Sequence, residues 1–305
     1  MEIVRYLIEA AGGAEMPRIG VREADGTLRR VPTRTLAELL ALPLAAFREA
    51  LSSATEVEGE RYRLLAPVDS LTEVWAAGVT YRRSREARME ESQTADVYDR
   101  VYAADRPELF FKSAAWRVVG PDEPIGVRAD SEVDVPEPEM AVAINAYGEI
   151  VGVTVCDDVS SRSIEGENPL YLPQAKIFAG ACALGPVIRP VWEVEDVHAL
   201  TLSVSVARDG SAAWAATTST GNLHRRVEDL AGYLFRGQSH PYGAVLSTGT
   251  GLVPELDFSL QTGDVVTIEL EGVGALSNVV QRDLAGPDLV PAAFLGQLGG
   301  AGSAS

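Results

Sequence analysis

The segment DVPEPEMAVAINAYGEIVGVTVCDDVSSR places acidic side chains at the outer ends of two apolar runs. Asn145 and Gly148 occupy the first and fourth positions that a type I turn favours, so the segment predicts a β-hairpin. Glu137 and Glu139 are two residues apart, and side chains at i and i+2 of a strand point to the same face of a sheet. The segment therefore predicts a sheet that carries two neighbouring carboxylates on one face.

The second arm of the hairpin supplies a third carboxylate. A symmetric turn would place Glu137 opposite Cys156, on the same face of the sheet. Asp158 then lies on that face as a diagonal neighbour of Glu137, within roughly 7–8 Å, whereas Asp157 points away. A slip of one residue in the pairing would reverse the choice between the two aspartates.

Carboxylates that converge in this way repel one another unless a cation lies between them or one of them carries a proton. Oxygen ligands suit a hard divalent cation, Mg²⁺ first and then Mn²⁺ or Ca²⁺. Glu137, Glu139 and Asp158 are the predicted ligands, and they would leave about three of six positions for water or substrate, as catalysis requires. A solvated strand face in an acidic protein is the competing interpretation, and the pattern alone leaves both open.

The overall composition limits the possible partners. The 305 residues carry a formal net charge of −18, which argues against binding to nucleic acid or to acidic membrane surfaces. No apolar run approaches the roughly 18 residues of a membrane span, and the first residues lack the order of a secretory signal. With two cysteines and three histidines, neither a disulfide framework nor a cysteine- or histidine-rich metal site is expected. We expect a cytoplasmic protein.

Two regions with different patterns are expected along the chain. Helical spacing of apolar residues at 6–13 and from residue 36 onward, with a hairpin at Asp25-Gly26, predicts a small N-terminal α/β domain over residues 1–70. Proline separates two helices at position 43. Short apolar runs divided by Gly, Pro and Asp then predict a β-rich catalytic domain over residues 71–295. Residues 296–305 contain no large apolar side chain and are expected to form a disordered tail.

Several longer motifs resemble one known family. PEPEMAVAI, GEIVGVTVCDDVSSRS, LYLPQAKIFAGACALGPVI and VLSTGTGLVP resemble the fumarylacetoacetate hydrolase family, over roughly residues 71–282. GVTYRRSREARMEES, RVYAADRPELFFK and IEGENPLYLPQAK are most similar to its branch of 2-dehydro-3-deoxy-D-arabinonate dehydratases. The resemblance implies an α+β fold with a rolled β-sheet catalytic domain and a homodimer or homotetramer. It also implies Mg²⁺ held by an E-x-E pair and a later Asp, which map onto Glu137, Glu139 and Asp158.

The implied activity is elimination of water from a 2-oxo-3-deoxy sugar acid in pentose catabolism, giving 2,5-dioxopentanoate from 2-dehydro-3-deoxy-D-arabinonate through a metal-stabilised enolate. C–C bond hydrolases of the family carry a His and a Glu in a segment that matches GVTYRRSREA, where this chain has Ser84 and Ala87. Without that pair nothing obvious activates a water molecule, so hydrolysis is disfavoured. A hydrolase or decarboxylase of a 2-oxo acid, or a metal-binding protein without turnover, remain the alternatives.

Two residues are candidates for proton transfer. Lys176, in LPQAK, is the candidate acid or base near C3 of the substrate, because an ammonium beside a metal is disfavoured. Glu108, in PELFFK, is the candidate partner of the C4 hydroxyl, at the mouth of an apolar strand. A surface lysine and an exposed loop glutamate are the competing interpretations, and which residue removes the first proton stays open.

Four more residues are candidates for substrate binding. Arg82, Ser84 and Arg85 follow a predicted strand end and could bind the substrate carboxylate or its hydroxyls. The competing interpretation is a solvated helix face rich in Arg and Glu. Thr250 lies in the glycine-flanked turn STGTG, where a ligand can approach the backbone closely, although an ordinary turn has the same composition.

Overall fold

A computed structural model describes residues 1–8, 16–57, 61–91 and 95–284, with residues 88, 90, 91, 95 and 96 described by their backbone alone. Residues 285–295 of the predicted catalytic domain and the predicted tail 296–305 lie outside the described residues. The strands are β1 (Glu2–Ile8), β2 (Arg18–Arg22), β3 (Leu28–Arg30), β4 (Thr55–Glu56), β5 (Tyr62–Leu65), β6 (Glu73–Gly78), β7 (Glu108–Ala114), β8 (Ile125–Val127), β9 (Asp134–Val135), β10 (Pro138–Ile144), β11 (Ile150–Asp158), β12 (Ser160–Ser161), β13 (Cys182–Pro190), β14 (Thr201–Arg208), β15 (Ser211–Ser219), β16 (Ala244–Ser247), β17 (Val265–Leu270) and β18 (Gly274–Arg282). The α-helices are α1 (Leu36–Leu40), α2 (Leu44–Ser52), α3 (Arg82–Glu91), α4 (Ala95–Ala103), α5 (Arg162–Glu167), α6 (Leu172–Lys176) and α7 (Val227–Leu234).

Two sheets form most of the described chain. The larger has 11 strands in the order β4-β3-β2-β1-β13-β11-β10-β16-β6-β7, with β5 also paired to β1. The smaller has five strands in the order β15-β14-β17-β18-β8. Strands β10 and β11 are antiparallel, whereas β16 runs parallel to β6. This strand-rich architecture confirms the predicted α+β class.

The main hydrophobic core lies between the two sheets. Val142 of β10 belongs to the same buried cluster as Ile268 of the five-stranded sheet. Because side chains alternate along a strand, Glu139 and Ala141 point to the opposite face of the larger sheet. The predicted carboxylate face is therefore turned away from the smaller sheet.

The N-terminal strands continue the larger sheet, since Ile3 of β1 pairs with Ile188 of β13. The two predicted helices form as α1 and α2, and Pro43 is the N-cap of α2. The helix predicted at 6–13 is wrong over residues 6–8, which belong to β1, and residues 9–15 lie outside the described residues. Pairing of β1 with β2, β5 and β13 overrides the local helical spacing. A domain boundary at residue 70 stays a prediction.

The helices of the described part are short, and none of them is long and apolar enough to cross a membrane. Helices α3 and α4 lie between β6 and β7 in the chain, and α5 and α6 lie between β12 and β13. Both pairs supply side chains to the cavity described below.

Candidate metal centre and active-site cavity

The hairpin of β10 and β11 brings three carboxylates together. Glu137, Glu139 and Asp158 each offer one oxygen atom, and these atoms all lie within 4.8 Å of one another. All three side chains are buried. The Asp158 amide donates a hydrogen bond of 3.0 Å to the carbonyl oxygen of Glu137, so these two residues face each other across the hairpin. The exposed strand face that the sequence left open does not occur here.

The pairing of the two strands differs from the predicted register by two residues. Cys156 lies opposite Glu139, not opposite Glu137. Val151 is the extra residue of a bulge, because Ile144 pairs with Ile150 and the preceding residue pairs with Gly152. The turn itself is one residue longer than a symmetric four-residue turn would make it. The bulge and the longer turn each shift the pairing by one residue. Together they shift it by two, so the side chains keep their predicted faces.

Glu139 is held by the end of β16 and the turn that follows it. Ser247 Oγ and the Gly249 amide donate hydrogen bonds of 2.5 and 2.7 Å to Oε2 of Glu139. Gly249 has a φ of +91°, and a Cβ atom at this position would overlap with Oγ1 of Thr80. Burial, followed by the charges of Asp158 and Glu137, raises the pKa of Glu139 well above its usual value.

Lys176, the last residue of α6, extends its ammonium group among these carboxylates. Its Nζ donates hydrogen bonds of 2.7 Å to Oε2 of Glu137 and 2.6 Å to Oγ of Ser160. The distance from Nζ to Oδ2 of Asp158 is 3.4 Å. The ring of Phe110 lies below the ammonium, 5.8 Å from Nζ to its centroid. Lys176 is thus a buried residue of the site, not a surface lysine.

The donor set fits a hard divalent cation. It consists of carboxylate oxygens, which Mg²⁺ and Ca²⁺ prefer, and neither cysteine belongs to it. Cys156 and Cys182 lie within an apolar cluster and are buried. The raised pKa of Glu139 shows that the carboxylates are costly to ionise together, and a bound dication would offset that cost.

A cavity of about 340 Å³, including its opening to solvent, borders the carboxylates. Glu108 begins β7 opposite Gly78 of β6 and reaches into this cavity. A Cβ atom at Gly78 would overlap with the Glu108 carboxylate, so the bare glycine provides the space that Glu108 occupies. The other polar or ionisable side chains that line the cavity are Ser84, Tyr98, Glu137, Glu139, Asp158, Glu165, Lys176 and Thr250.

The four predicted substrate-binding residues on α3 and the STGTG turn are placed differently. Ser84 and Thr250 are buried and line the cavity. Arg82 is exposed and forms an ion pair with Glu86 of its own helix, and Arg85 forms an ion pair of 2.5 Å with Asp99 of α4. Neither arginine lines the cavity in this structure, so a contact with substrate would require a rearrangement of α3.

The sequence analysis missed two buried residues of the site. Lys112 of β7 forms an ion pair with Asp158, and Glu165 of α5 lines the cavity. The sequence held one indication for Lys112. Lysine is rare in this chain, and Lys112 and Lys176 are its only two lysines. Glu165 lies within IEGEN, a motif that the sequence analysis quoted only for its family resemblance.

Comparison with known families explains this arrangement. Residues 73–281 match the family model described as the C-terminal part of fumarylacetoacetate (FAA) hydrolase. The chain belongs to the fumarylacetoacetate hydrolase family. It is 53% identical over 214 residues, 70% of this chain and 73% of the relative, to a probable 2-keto-3-deoxyxylonate dehydratase of Haloferax volcanii. It is 41% identical over 224 residues, 72% of this chain and 75% of the relative, to 2-dehydro-3-deoxy-D-arabinonate dehydratase of Saccharolobus solfataricus.

Solved structures of this family share the fold. A 2-keto-3-deoxy-D-arabinonate dehydratase complexed with magnesium and 2,5-dioxopentanoate superposes with a TM-score of 0.81 at 32% identity, covering 93% of this chain and 99% of that one. Fumarylacetoacetate hydrolase from Exiguobacterium antarcticum superposes with a TM-score of 0.70 at 27% identity, covering 93% and 100%. The predicted family resemblance and its dehydratase branch are confirmed.

The segment GVTYRRSREA runs from the end of β6 into α3. Ser84 and Ala87, the positions that the resemblance matches to a His and a Glu of C–C bond hydrolases, are both buried, and Ser84 lines the cavity. None of the described residues that line the cavity is a histidine. The ionisable side chains that line the cavity beside the three carboxylates are Lys176, Glu108, Glu165 and Tyr98.

Proposed function

We propose that this chain is a Mg²⁺-dependent hydro-lyase that converts 2-dehydro-3-deoxy-D-arabinonate into 2,5-dioxopentanoate and water. The observation that carries the proposal is the convergence of Glu137, Glu139 and Asp158 around Lys176, beside a cavity that Glu108 borders. The names of two relatives, at 53% and 41% identity, and a structural neighbour with magnesium and 2,5-dioxopentanoate support it.

The names of the two relatives are chemically consistent with each other. Oxidation at C2 and loss of the hydroxyl at C3 leave C4 as the one stereocentre of a five-carbon sugar acid. D-Xylonate and D-arabinonate share their configuration at C4, so both lead to the same 2-oxo-3-deoxy acid. We therefore assign the D-configured acid as the substrate and its mirror image at C4 as the discriminating control.

The metal would be held by Glu137, Glu139 and Asp158. When bound, Mg²⁺ polarises the C2 carbonyl of a chelating 2-oxo acid and thereby makes the C3 protons more acidic. Ser247 and the Gly249 amide hold one oxygen of Glu139 and so keep that carboxylate oriented toward its two neighbours. The side chains of Glu137, Glu139 and Asp158 are all buried, so protein groups and not solvent hold them in place.

Lys176 and Glu108 divide the proton transfers. The ammonium form of Lys176 would be disfavoured beside a metal held by the three carboxylates, and the neutral amine would then take a proton from C3 at its Nζ atom. The hydrogen bond from Nζ to Glu137 directs the group toward the metal site. Glu108 delivers a proton to the C4 hydroxyl, which departs as water. The C3–H and C4–O bonds break and a C3–C4 double bond forms. A proton then moves from C5 to C3, which gives the C4–C5 enol, and the enol hydroxyl proton moves to C4, which gives the aldehyde.

The cavity wall binds the remaining polar groups of the substrate. Ser84 and Thr250 offer hydroxyl groups to the substrate's own hydroxyls. Arg82 and Arg85 belong to the proposed binding set only if α3 rearranges when the substrate enters, as their present ion pairs with Glu86 and Asp99 require.

Three further properties are part of the proposal. The chain acts in the cytoplasm as a homodimer or homotetramer in pentose catabolism. Its partner is a small 2-oxo acid, with no role for nucleic acid or membrane, in keeping with the charge of −18. A small N-terminal domain over residues 1–70 precedes a catalytic domain over residues 71–295.

Product analysis tests the proposal directly. Purified protein with Mg²⁺ and 2-dehydro-3-deoxy-D-arabinonate should yield a five-carbon aldehyde acid, detected by mass spectrometry after trapping the aldehyde. Release of CO₂ would indicate a decarboxylase, and two shorter fragments would indicate C–C bond hydrolysis. Mg²⁺ binding with no turnover on a panel of 2-oxo acids would indicate a protein that binds metal without catalysis. The C4 enantiomer should react much more slowly than the D acid.

A further inference from the structure

The distribution of basic residues in this chain is unusual. The sequence contains 24 arginines and two lysines, and both lysines lie at the carboxylate cluster. Lys112 is 1% exposed and Lys176 is 3% exposed. Because lysine and arginine bear the same charge, the two lysines mark positions where a compact ammonium group is needed and a planar guanidinium would not fit.

The ammonium group of Lys112 is surrounded by three oxygen atoms from the site. It donates hydrogen bonds of 3.1 Å to the Val159 carbonyl and 2.6 Å to the Lys176 carbonyl, and it forms an ion pair with Oδ1 of Asp158. Two of the three N–H donors of the ammonium group are thus used by carbonyl oxygens, and the Asp158 carboxylate is its charged partner. A buried charge is tolerated when it is paired in this way.

Strand β7 carries both Lys112 and residues that line the cavity. Glu108 and Phe110 are two residues apart in regular pairing with β6, so their side chains share a face, and Lys112 is the extra residue of a bulge in the same strand. Glu108 and Phe110 line the cavity, and Phe110 lies below the ammonium of Lys176. Lys112 therefore contacts the metal site from the same strand that presents the proposed proton donor.

We propose that Lys112 is a positioning residue that acts through Asp158 and Lys176. By pairing with Oδ1 of Asp158, it leaves Oδ2 directed toward Glu137 and Lys176, where a metal would be held. By binding the Lys176 carbonyl, it fixes the end of α6 from which the Lys176 side chain extends. The part of the inference that treats Lys176 as a proton-transfer group rests on the proposed function. The coupling of Lys112 to Asp158 does not.

The coupling can be measured without any turnover. Protein produced with ¹³C-labelled lysine should give two sets of lysine Cε–Hε resonances, which the Lys176→Met variant assigns. Saturating Mg²⁺ without substrate should shift both sets, because Lys112 contacts a metal ligand. In the Glu139→Gln variant the same Mg²⁺ concentration should shift neither. A Lys112 resonance that stays unchanged while that of Lys176 shifts would overturn the proposal, and so would the absence of any Mg²⁺-dependent shift.

A matched pair of variants tests the effect on catalysis. Lys112→Met keeps the length of the side chain and removes its charge and donors. At saturating Mg²⁺ its kcat should fall by about 100-fold, as expected for a misplaced catalytic group. Ser113→Ala, at the next buried position, where the hydroxyl donates to the carbonyl oxygen of neighbouring Ala114, should stay within about twofold of the unchanged protein.

The results separate a positioning role from a structural one and from the proposed function. A folded Lys112→Met variant that keeps kcat within about threefold would overturn the positioning role, even if its Tm were lowered. If Lys112→Met does not fold, the lysine resonances of the unchanged protein decide the question. If both resonances respond to Mg²⁺ but no 2-oxo acid is turned over, the coupling of Lys112 stands and the dehydratase assignment fails.

Discussion

The carboxylate of Glu108 occupies the space that a side chain at Gly78 would fill, so strands β6 and β7 pair a glycine with the proposed proton donor. The pairing of the two residues places an acidic group beside the cavity without closing it. Gly78 lines the cavity as well, and its missing side chain leaves the space that the Glu108 carboxylate fills.

Gly78→Ala should displace the Glu108 carboxylate, because a methyl group cannot share its position. We expect kcat to fall by about 10- to 100-fold with little change in Tm, since the flexible end of a side chain can move away. Steady-state kinetics and thermal unfolding measure the two effects.

The matched control is Gly232→Ala, in the interior of α7, where a Cβ atom would meet no atom within 4 Å. It should leave kcat unchanged and stabilise the protein by about 0.5–1 kcal/mol. An unchanged kcat in Gly78→Ala would contradict the role of Glu108 in catalysis.

Exchange of the C3 protons in deuterated water separates the two proton-transfer residues. Lys176→Met should lose both exchange and dehydration, whereas Glu108→Gln should keep exchange and lose dehydration. Each loss should be about 10²- to 10⁴-fold, the usual contribution of general acid–base catalysis. Exchange that survives in Lys176→Met and disappears in Glu108→Gln would reverse the two assignments.

Removal of the metal should abolish activity and lower stability together. Mg²⁺ at about 100 times its Kd adds about 2.7 kcal/mol to the free energy of unfolding, which raises the Tm of a chain of this size by several degrees. EDTA should reverse this rise, and added Mg²⁺ or Mn²⁺ should restore it. Glu139→Gln should show no Mg²⁺-dependent rise; a rise equal to that of the unchanged protein would exclude Glu139 as a ligand.

The stability of the metal-free protein should depend on pH through Asp134. Its side chain is buried, and burial raises its pKa against the opposing effects of the Ser131 side chain and the Arg128 backbone. The folded state therefore holds a proton at a pH where the unfolded state has lost it. Burying the charged Asp134 carboxylate lowers the free energy of unfolding at pH values above its folded-state pKa. This loss of stability disappears as the pH falls through that pKa toward the ordinary value of 3.8.

Asp134→Asn should accordingly raise the Tm at pH 8 more than at pH 5. Asp130 provides the contrast, because it is exposed and its hydrogen bond with half-buried Arg128 lowers its pKa. Asp130→Asn should lower the Tm slightly at pH 8 and have no effect once the pH has fallen below the folded-state pKa of Asp130. Thermal unfolding between pH 2 and pH 8 measures both variants; identical pH profiles for Asp134→Asn and the unchanged protein would contradict the first expectation.

Local patterns were sufficient where a single hairpin decides the outcome. The alternation of side chains along a strand determines which of Asp157 and Asp158 faces the two glutamates, and this choice survives the two-residue change in register. The bulge at Val151 could not be anticipated, because both strand faces are buried and the apolar run has no gap that marks it.

Arg82 and Arg85 illustrate the opposite case. Their position after a strand end is correct, but the side chains turn to Glu86 and Asp99. The second of these pairs depends on how α4 packs against α3, which spacing along one helix does not reveal.

The amino-acid sequence by itself determined the family, the strand-rich class and the three carboxylates, since these depend on motifs and on the two-residue period of a strand. The tertiary structure alone decided which distant side chains join those carboxylates. Lys112 reaches Asp158 only because β7 lies at the edge of the sheet and passes beside the end of α6. Contacts between residues 46 and 64 positions apart follow from chain topology, for which a single sequence carries no local pattern.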